Sequence, residues 1–162
     1  MWGRRRRPDQ IGGTVERYEQ EHLTAALSAI PPARRFWQHA KQPHNIGFRA
    51  DSNATATGVG SCGDKISIGL RVMGNTIEEV TCAPEGCVYT TACASAMSVL
   101  AKGCTLDEAL RLQPEDVVGE LEGLPEDHLH CARLAVNTLG EAIADYYRRA
   151  VLADRSSADK KV

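Results

Sequence analysis

The sequence predicts an α+β domain, in which a small three-stranded antiparallel sheet packs against several helices. Between residues 55 and 83, hydrophobic residues follow the alternation of strands and are interrupted by glycine-containing turns. On either side of this segment, hydrophobic residues recur three and four positions apart, as they do on the buried face of a helix. Helices that flank a run of consecutive strands are typical of the α+β class.

The clearest strand is the second of the three. Its apolar residues alternate with Lys65, Ser67, Gly69 and Arg71, and they are Ile66, Ile68, Leu70 and Val72. A shorter strand is expected over residues 55–61, and a hairpin turn at 74–75 leads to a third strand over 76–83. In that third strand Ile77 and Val80 fall out of step by one residue, which predicts a bulge or a late start.

Helices are expected over residues 15–30, 33–39 and 87–101, with Pro31-Pro32 ending the first and Gly103 ending the third. Thr105 and Glu108 have the spacing of a capping box, which predicts a short helix, and another short helix is expected after residue 114. A long last helix is indicated by one apolar stripe, formed by Leu129, Ala132, Val136, Leu139, Ile143, Tyr146 and Ala150.

The chain of 162 residues is long enough for one domain, with 43% hydrophobic and 25% charged residues. We place this domain at residues 14–152. Residues 1–13 are expected to form a flexible basic tail, which contains the run Arg4–Arg7, and residues 153–162 a second flexible tail. The formal net charge of −2 gives no reason to expect a nucleic-acid partner.

Neither a membrane span nor a secretory signal is expected. There is no run of about eighteen apolar residues, and Pro8-Asp9-Gln10, rather than an apolar stretch, follows the basic run. We therefore expect a cytoplasmic protein. In that compartment the six cysteines are expected to bind metal, to be reactive or to be buried, rather than to form disulfides.

Five residues in three separate segments form the candidate site: Cys62, Asp64, Cys87, His130 and Cys131. Cys62 and Asp64 fall in the predicted turn between the first two strands. The other three fall at the starts of predicted helices, where partial positive charge stabilises a thiolate. Three thiolates with one oxygen or nitrogen donor form a tetrahedral site for zinc, or for iron bound to sulfide. A purely structural zinc site made by the three cysteines is the simpler alternative.

With these residues the chain resembles the family of iron–sulfur cluster scaffolds of the IscU and NifU amino-terminal type. The resemblance covers roughly residues 39–147. The matching segments are Pro43-His44-Asn45-Ile46-Gly47, Gly60-Ser61-Cys62-Gly63-Asp64, Gly86-Cys87, Lys102-Gly103, Leu106-Asp107-Glu108-Ala109, Leu124-Pro125 and His130-Cys131.

The resemblance implies an assembly scaffold rather than an enzyme, on which a [2Fe–2S] cluster is built and then passed to recipient apo-proteins. A cysteine desulfurase would hand over sulfur as a persulfide, with Cys131 as the acceptor. An iron donor would supply iron, and a ferredoxin or another donor would supply electrons. Iron would be held by Cys62, Asp64, Cys87, His130 and Cys131 in changing subsets. Either a monomer or a homodimer is compatible with this role.

Two other function classes stay open. In a zinc-dependent sulfurtransferase, similar to SufU, zinc occupies the same residues and a persulfide is relayed. Those proteins usually have an insertion before the last cysteine and lack the adjacent histidine, whereas this chain has His130 and no obvious insertion. The third class is a zinc-stabilised interaction module without sulfur chemistry.

The chain departs from the family pattern before the last ligands. Where the family often has Leu-Pro-Pro-Val-Lys, this chain has Leu124-Pro125-Glu126-Asp127-His128, which argues against recognition by the family's dedicated chaperone. His128 brings a titratable imidazole near the predicted site, either as a metal ligand or as a pH-sensitive group. Cys93 adds a thiol in a segment that is commonly rich in serine, and we expect it, with Cys82 and Cys104, to be a packing residue.

Overall fold

A computed structural model describes residues 33–160. Its elements are helix α1 (Arg34–Lys41), strands β1 (Ala54–Val59), β2 (Lys65–Met73) and β3 (Thr76–Glu85), helices α2 (Val88–Ala101), α3 (Leu106–Leu110) and α4 (Pro114–Glu120), a 3₁₀ turn (Glu126–His128) and helix α5 (Leu129–Asp159). The helix expected over residues 15–30 and the basic tail lie outside the described residues.

The sheet has the order β1-β2-β3, with both pairs antiparallel. The predicted bulge is present in β3. Arg71 pairs with Glu79 while Val72 pairs with Ile77, so that Glu78 is the extra residue. This insertion moves the apolar residues of β3 back into step with the buried face of the sheet.

The core lies between one face of this sheet and the helices α2 and α5. The four alternating apolar residues of β2 are at most 2% exposed, and Leu139 and Ile143 of α5 are at most 1% exposed. Alanines and serines fill much of the buried surface of α2. Because these side chains are short, the helix approaches the sheet closely. The fold class is therefore the α+β class that the sequence predicts.

A buried polar network fixes α1 and the loop after it onto α2. His39 is 2% exposed, and its Nδ1 lies 2.8 Å from Ser95 Oγ. Ser95 Oγ also accepts a hydrogen bond from the backbone N–H of His44 at 2.8 Å. His39 Nε2 lies 3.5 Å from Glu120, which is also bonded to Arg35. Every member of this network has a partner, as buried polar groups require.

The end of the chain differs from the expectation of a tail from residue 153, because α5 continues to Asp159. Residues 151–160 are exposed. The apolar stripe ends near Ala150, but exposed residues, both apolar and polar, carry the helix beyond the last buried turn. The capping box is confirmed, since Thr105 Oγ1 accepts from the N–H of Glu108 and the Glu108 carboxylate accepts from the N–H of Thr105. Within residues 33–160, none of the helices combines the length and apolarity needed to cross a membrane.

Candidate functional site

Three chain segments meet at one end of the sheet. The first is the turn of residues 60–64, which joins β1 to β2. The second is the junction of β3 and α2, which lies beside it because Lys65 pairs with Glu85. The third is the start of α5, where Leu134 reaches the turn closely enough to limit the space at Gly60. These segments carry all five residues of the predicted site.

The turn of residues 60–64 presents Cys62 and Asp64. It is closed by backbone hydrogen bonds from Gly60 to Asp64 (2.8 Å) and from Gly63 to Gly60 (3.0 Å). Gly63 has φ +87°, a conformation that glycine adopts without the strain of a side chain. Cys62 is exposed and Asp64 is half-buried. The turn therefore holds the carboxylate inward and leaves the first sulfur accessible.

Cys87 is the residue that precedes the first turn of α2, as the sequence predicts. Its N–H donates to Asp64 Oδ2 at 3.3 Å, so one of the unpaired amides of the helix start binds the carboxylate. The absence of a side chain at Gly86 allows this approach. A methyl group there would lie 2.4 Å from Asp64 Cγ.

His130 and Cys131 lie in the first turn of α5, also as predicted. His130 Nε2 lies 3.5 Å from Cys131 Sγ. Cys131 is 0% exposed, whereas Cys62 and Cys87 are exposed. Two of the three sulfurs can thus be reached from solvent in this conformation, and the third cannot.

Thr90 connects the ligands at the centre of the site. It is fully buried and lies one helical turn after Cys87 on α2. Its Oγ1 donates to Asp64 Oδ2 and lies 3.4 Å from Cys87 Sγ and 3.5 Å from Cys131 Sγ. A hydroxyl has one proton and two lone pairs. That one proton cannot serve all three groups at once, so Asp64, the nearest of them, competes with Cys131 for it.

The charges of this network follow from its geometry. Hydrogen bonds from the Thr90 hydroxyl and then from the Cys87 N–H lower the pKa of Asp64. Burial raises the pKa of the Cys131 thiol to about 12, although Thr90 opposes this shift. The expectation of a stabilised thiolate at Cys131 was therefore wrong for this conformation, because the loss of solvent outweighs the partial charge of the helix start.

Three potential ligand atoms come within 4.8 Å of one another among the described residues, and they belong to Cys87, His128 and Cys131. Two cysteines of the predicted site are therefore close together with the imidazole of His128, which was expected near the site as a metal ligand or a pH-sensitive group but was not one of the five predicted ligands. His130 is not a member of this set.

The ring of His128 is held by Tyr89, the second residue of α2. The two rings are stacked, with centroids 3.6 Å apart and an angle of 13° between their planes. Tyr89 in turn contacts the buried Phe36, with ring centroids 5.0 Å apart. These contacts hold His128 against the end of α2 that carries Cys87.

The other three cysteines behave largely as packing residues. Cys82 and Cys93 are 0% exposed, and burial raises the pKa of the Cys82 thiol to about 12. Burial also raises the pKa of Cys93 well above its usual value, and the next largest effects come from Cys131 and Cys87. Cys93 is therefore a buried neutral thiol in the core, as a packing residue is. Cys104 Sγ donates to the Leu100 carbonyl at 3.1 Å.

Sequence reasoning missed Thr90 as a member of the site. The available signal was its spacing of three residues from Cys87, which places both on one face of α2. Threonine is too common in small-residue helices for that spacing to identify it alone.

Fold and site together define a small α+β domain that presents cysteine ligands at one end of a three-stranded sheet. The family model of the NifU-like N terminal domain matches residues 33–153. The chain therefore belongs to the family of NifU-like N-terminal domains.

Relatives agree with this membership. An iron-sulfur cluster assembly scaffold protein, IscU 1 of Archaeoglobus fulgidus, is 36% identical over 117 residues, which are 71% of this chain and 76% of that protein. Two solved structures show the same fold at lower identity. The NifU-like N-terminal protein of Brucella abortus has a TM-score of 0.59 at 18% identity, covering 72% of this chain and 94% of that one. A SUF-system scaffold protein of Fervidobacterium islandicum has a TM-score of 0.56 at 17% identity, covering 68% and 95%.

Proposed function

We propose that this protein is a scaffold for iron–sulfur cluster assembly. It receives sulfur from a cysteine desulfurase, binds iron, builds a [2Fe–2S] cluster and transfers it to recipient apo-proteins. The observation that carries this proposal is the convergence of Cys62, Asp64, Cys87 and Cys131 at one end of the sheet in a domain of the NifU-like family. The name of the Archaeoglobus relative supports it.

The donor set suits a cargo that must be both bound and released. Thiolates are the preferred ligands of cluster iron, whereas a carboxylate is a harder and weaker match. Asp64 accepts hydrogen bonds from Thr90 and from the Cys87 N–H, which compete with iron for its oxygens. Cys62 and Cys87 are exposed, so that a recipient protein can reach the cluster and replace its ligands.

Sulfur delivery is proposed to take place at Cys131. The Cys131 thiolate attacks the outer sulfur of the desulfurase persulfide, and the desulfurase cysteine leaves as a thiolate. Two electrons from a ferredoxin or another donor then reduce the bound persulfide to sulfide and regenerate the Cys131 thiolate. Because Cys131 is fully buried, this step requires local opening around the start of α5. The protein holds and relays these groups without turning over a substrate of its own.

A zinc-dependent sulfur relay is the second candidate. The close approach of Cys87, His128 and Cys131 favours it, because two thiolates and an imidazole are ordinary ligands of zinc. In this role a persulfide would still form on one of the cysteines, but no cluster would be assembled.

The two candidates are separated by anaerobic reconstitution of the metal-free protein. Iron, cysteine and a cysteine desulfurase are added, and the visible spectrum is recorded. A scaffold develops [2Fe–2S] absorption in proportion to the protein concentration. This absorption is weakened or abolished in each of the variants Cys62→Ser, Cys87→Ser and Cys131→Ser. Absence of the chromophore, together with tight zinc binding and a persulfide detected by mass on Cys131, identifies the sulfur relay instead.

A further inference from the structure

We propose that His128, rather than His130, supplies the nitrogen ligand when the free site of this protein takes up a single metal ion, together with Cys87 and Cys131. The inference rests on the proposed function and deepens it, because it assigns the ligands that bind the first metal ion at the same site. It starts from the position of the His128 imidazole beside the sulfurs of Cys87 and Cys131.

The distances suit one tetrahedral ion. With metal–sulfur bonds of about 2.3 Å and metal–nitrogen bonds of about 2.0 Å, ligand atoms around zinc lie about 3.5–3.8 Å apart. The ligand atoms of Cys87, His128 and Cys131 all lie within 4.8 Å of one another. Side-chain adjustments of about 1 Å would bring them to the bonded geometry.

The imidazole of His128 has a nitrogen that lacks a partner. Its Nδ1 is buried and makes no hydrogen bond to any group among residues 33–160. A buried polar atom without a partner costs free energy, about 1–3 kcal/mol for a hydrogen-bonding group. This atom is therefore an independent sign that something outside the described protein atoms completes the ring's environment.

The ring is also oriented in advance. Tyr89 covers one face of it at 3.6 Å, and Asp127 Oδ2 lies 3.7 Å from Nε2. A carboxylate that accepts a hydrogen bond from the second nitrogen of a metal-binding histidine fixes its tautomer and makes it a stronger ligand. Asp127 would need only a small side-chain adjustment to accept that bond. A stacked ring loses little side-chain entropy when it binds a metal.

His130 occupies a different position. Its Nε2 contacts Cys131 Sγ at 3.5 Å, but it does not belong to the set of atoms that share the 4.8 Å limit. The rings of His128 and His130 are 6.0 Å apart between centroids. His130 is thus the matched control, because it is the same residue type two positions away and beside the same sulfur.

The experiment is an anaerobic titration of the metal-free full chain with Co²⁺ alone, followed by competition with Zn²⁺ and a chromophoric chelator. The wild type is expected to show sulfur-to-cobalt charge transfer and the visible bands of a tetrahedral Co²⁺ site. His128→Ala is expected to lose these tetrahedral bands and to bind at least about tenfold more weakly, since even outer-shell partners of a metal contribute that much. His130→Ala is expected to keep the tetrahedral bands and to weaken Co²⁺ binding less than His128→Ala does, because it removes a neighbour of Cys131 rather than a ligand. The inference is overturned if His128→Ala gives the wild-type spectrum and affinity, or if His130→Ala alone abolishes the bands.

A second readout does not depend on a variant. In the Zn²⁺-loaded wild type, long-range ¹⁵N–¹H spectra identify which imidazole nitrogen is bound to metal. A ¹⁵N chemical shift typical of a metal-bound nitrogen in the ring of His128 supports the inference. The same chemical shift in the ring of His130 overturns it. Failure of the proposed function can be distinguished from failure of this inference. If the desulfurase reconstitution yields no cluster while Co²⁺ still binds through His128, the scaffold role fails and this inference stands.

Discussion

Thr90 on α2 and Cys131 on α5 meet in the interior of the site, with Thr90 Oγ1 3.5 Å from Cys131 Sγ and both residues fully buried. The same hydroxyl binds Asp64 from the β1–β2 turn. One side chain that is not expected to bind metal thus links the three segments that carry the ligands. Its position makes the free site a hydrogen-bonded assembly rather than a set of separate thiols.

Replacing Thr90 with valine is expected to destabilise the metal-free protein by about 1 kcal/mol, because Asp64 loses its hydroxyl donor and the thiols of Cys87 and Cys131 lose a hydrogen-bond partner. Urea unfolding measures this loss. Thr91→Val is the control, because Thr91 is the next residue of the same helix and is half-buried. Equal stability of the Thr90 and Thr91 variants would show that the hydroxyl does not hold the site together.

The same substitution should change the pH dependence of stability in a defined direction. Hydrogen bonds in the folded state lower the pKa of Asp64 from its ordinary value of 3.8. The resulting stability is fully present above pH 4 or so and is lost as the pH falls through the folded pKa. In Thr90→Val the pKa of Asp64 should rise, and the stability difference from the wild type should shrink in acid. Carboxyl chemical shifts followed by NMR give the pKa directly.

Gly86→Ala is expected to displace the Asp64 carboxylate while the domain still folds. A methyl group at this residue would lie within 2.8 Å of three Asp64 side-chain atoms, but φ at Gly86 is not in the left-handed region. The Cys87 N–H should lose its carboxylate partner, which amide chemical shifts detect. Gly119→Ala is the control, since an added methyl group there meets nothing within 4 Å. If the Cys87 amide shift is unchanged in Gly86→Ala, the close approach of Asp64 is wrong.

Asp64→Ala is expected to lengthen the lifetime of the assembled cluster and to slow its transfer. The carboxylate is the hardest donor among the thiolates, and its removal takes away the ligand that leaves iron most readily. The decay of the visible absorption in the presence of an iron chelator gives the lifetime. A cluster that is lost faster from this variant than from the wild type would contradict the assignment of Asp64 as the labile ligand.

Metal binding should release protons, because the Cys131 thiol has a pKa raised to about 12 and must deprotonate to bind. Affinity for Zn²⁺ is therefore expected to increase with pH, by about tenfold per pH unit for each thiol that starts protonated. Calorimetric titrations in buffers of different ionisation enthalpy count the protons. In Cys131→Ser the count should fall by about one proton. An unchanged count would mean that Cys131 is not a ligand of the ion.

Local patterns predicted most of the fold. The alternation in β2, the bulge in β3, the start of α2 at Cys87 and the Thr105 capping box all depend on contacts between residues near in sequence. The extent of α5 was underestimated, because its last turns carry no apolar stripe and continue through propensity alone.

The site was harder to predict where it depends on packing between distant segments. The locations of Cys62, Asp64 and Cys87 at turns and helix starts followed from glycine and helix patterns. The burial of Cys131, however, depends on how the start of α5 lies against α2, and that relationship leaves no periodic signal. The position of Thr90 has the same origin, because it meets the site across two helices. His128 was expected near the site, and only its stacking on Tyr89 of another helix was not.

Cluster transfer tests the central claim most directly. The reconstituted protein is mixed anaerobically with an apo-protein that accepts a [2Fe–2S] cluster, an iron chelator is present, and circular dichroism in the visible region follows the acceptor. A scaffold is expected to pass its cluster to the acceptor faster than the chelator removes it, with wild-type rates exceeding those of Asp64→Ala. A protein that assembles no cluster, or whose iron reaches the chelator and never the acceptor, would contradict the scaffold function.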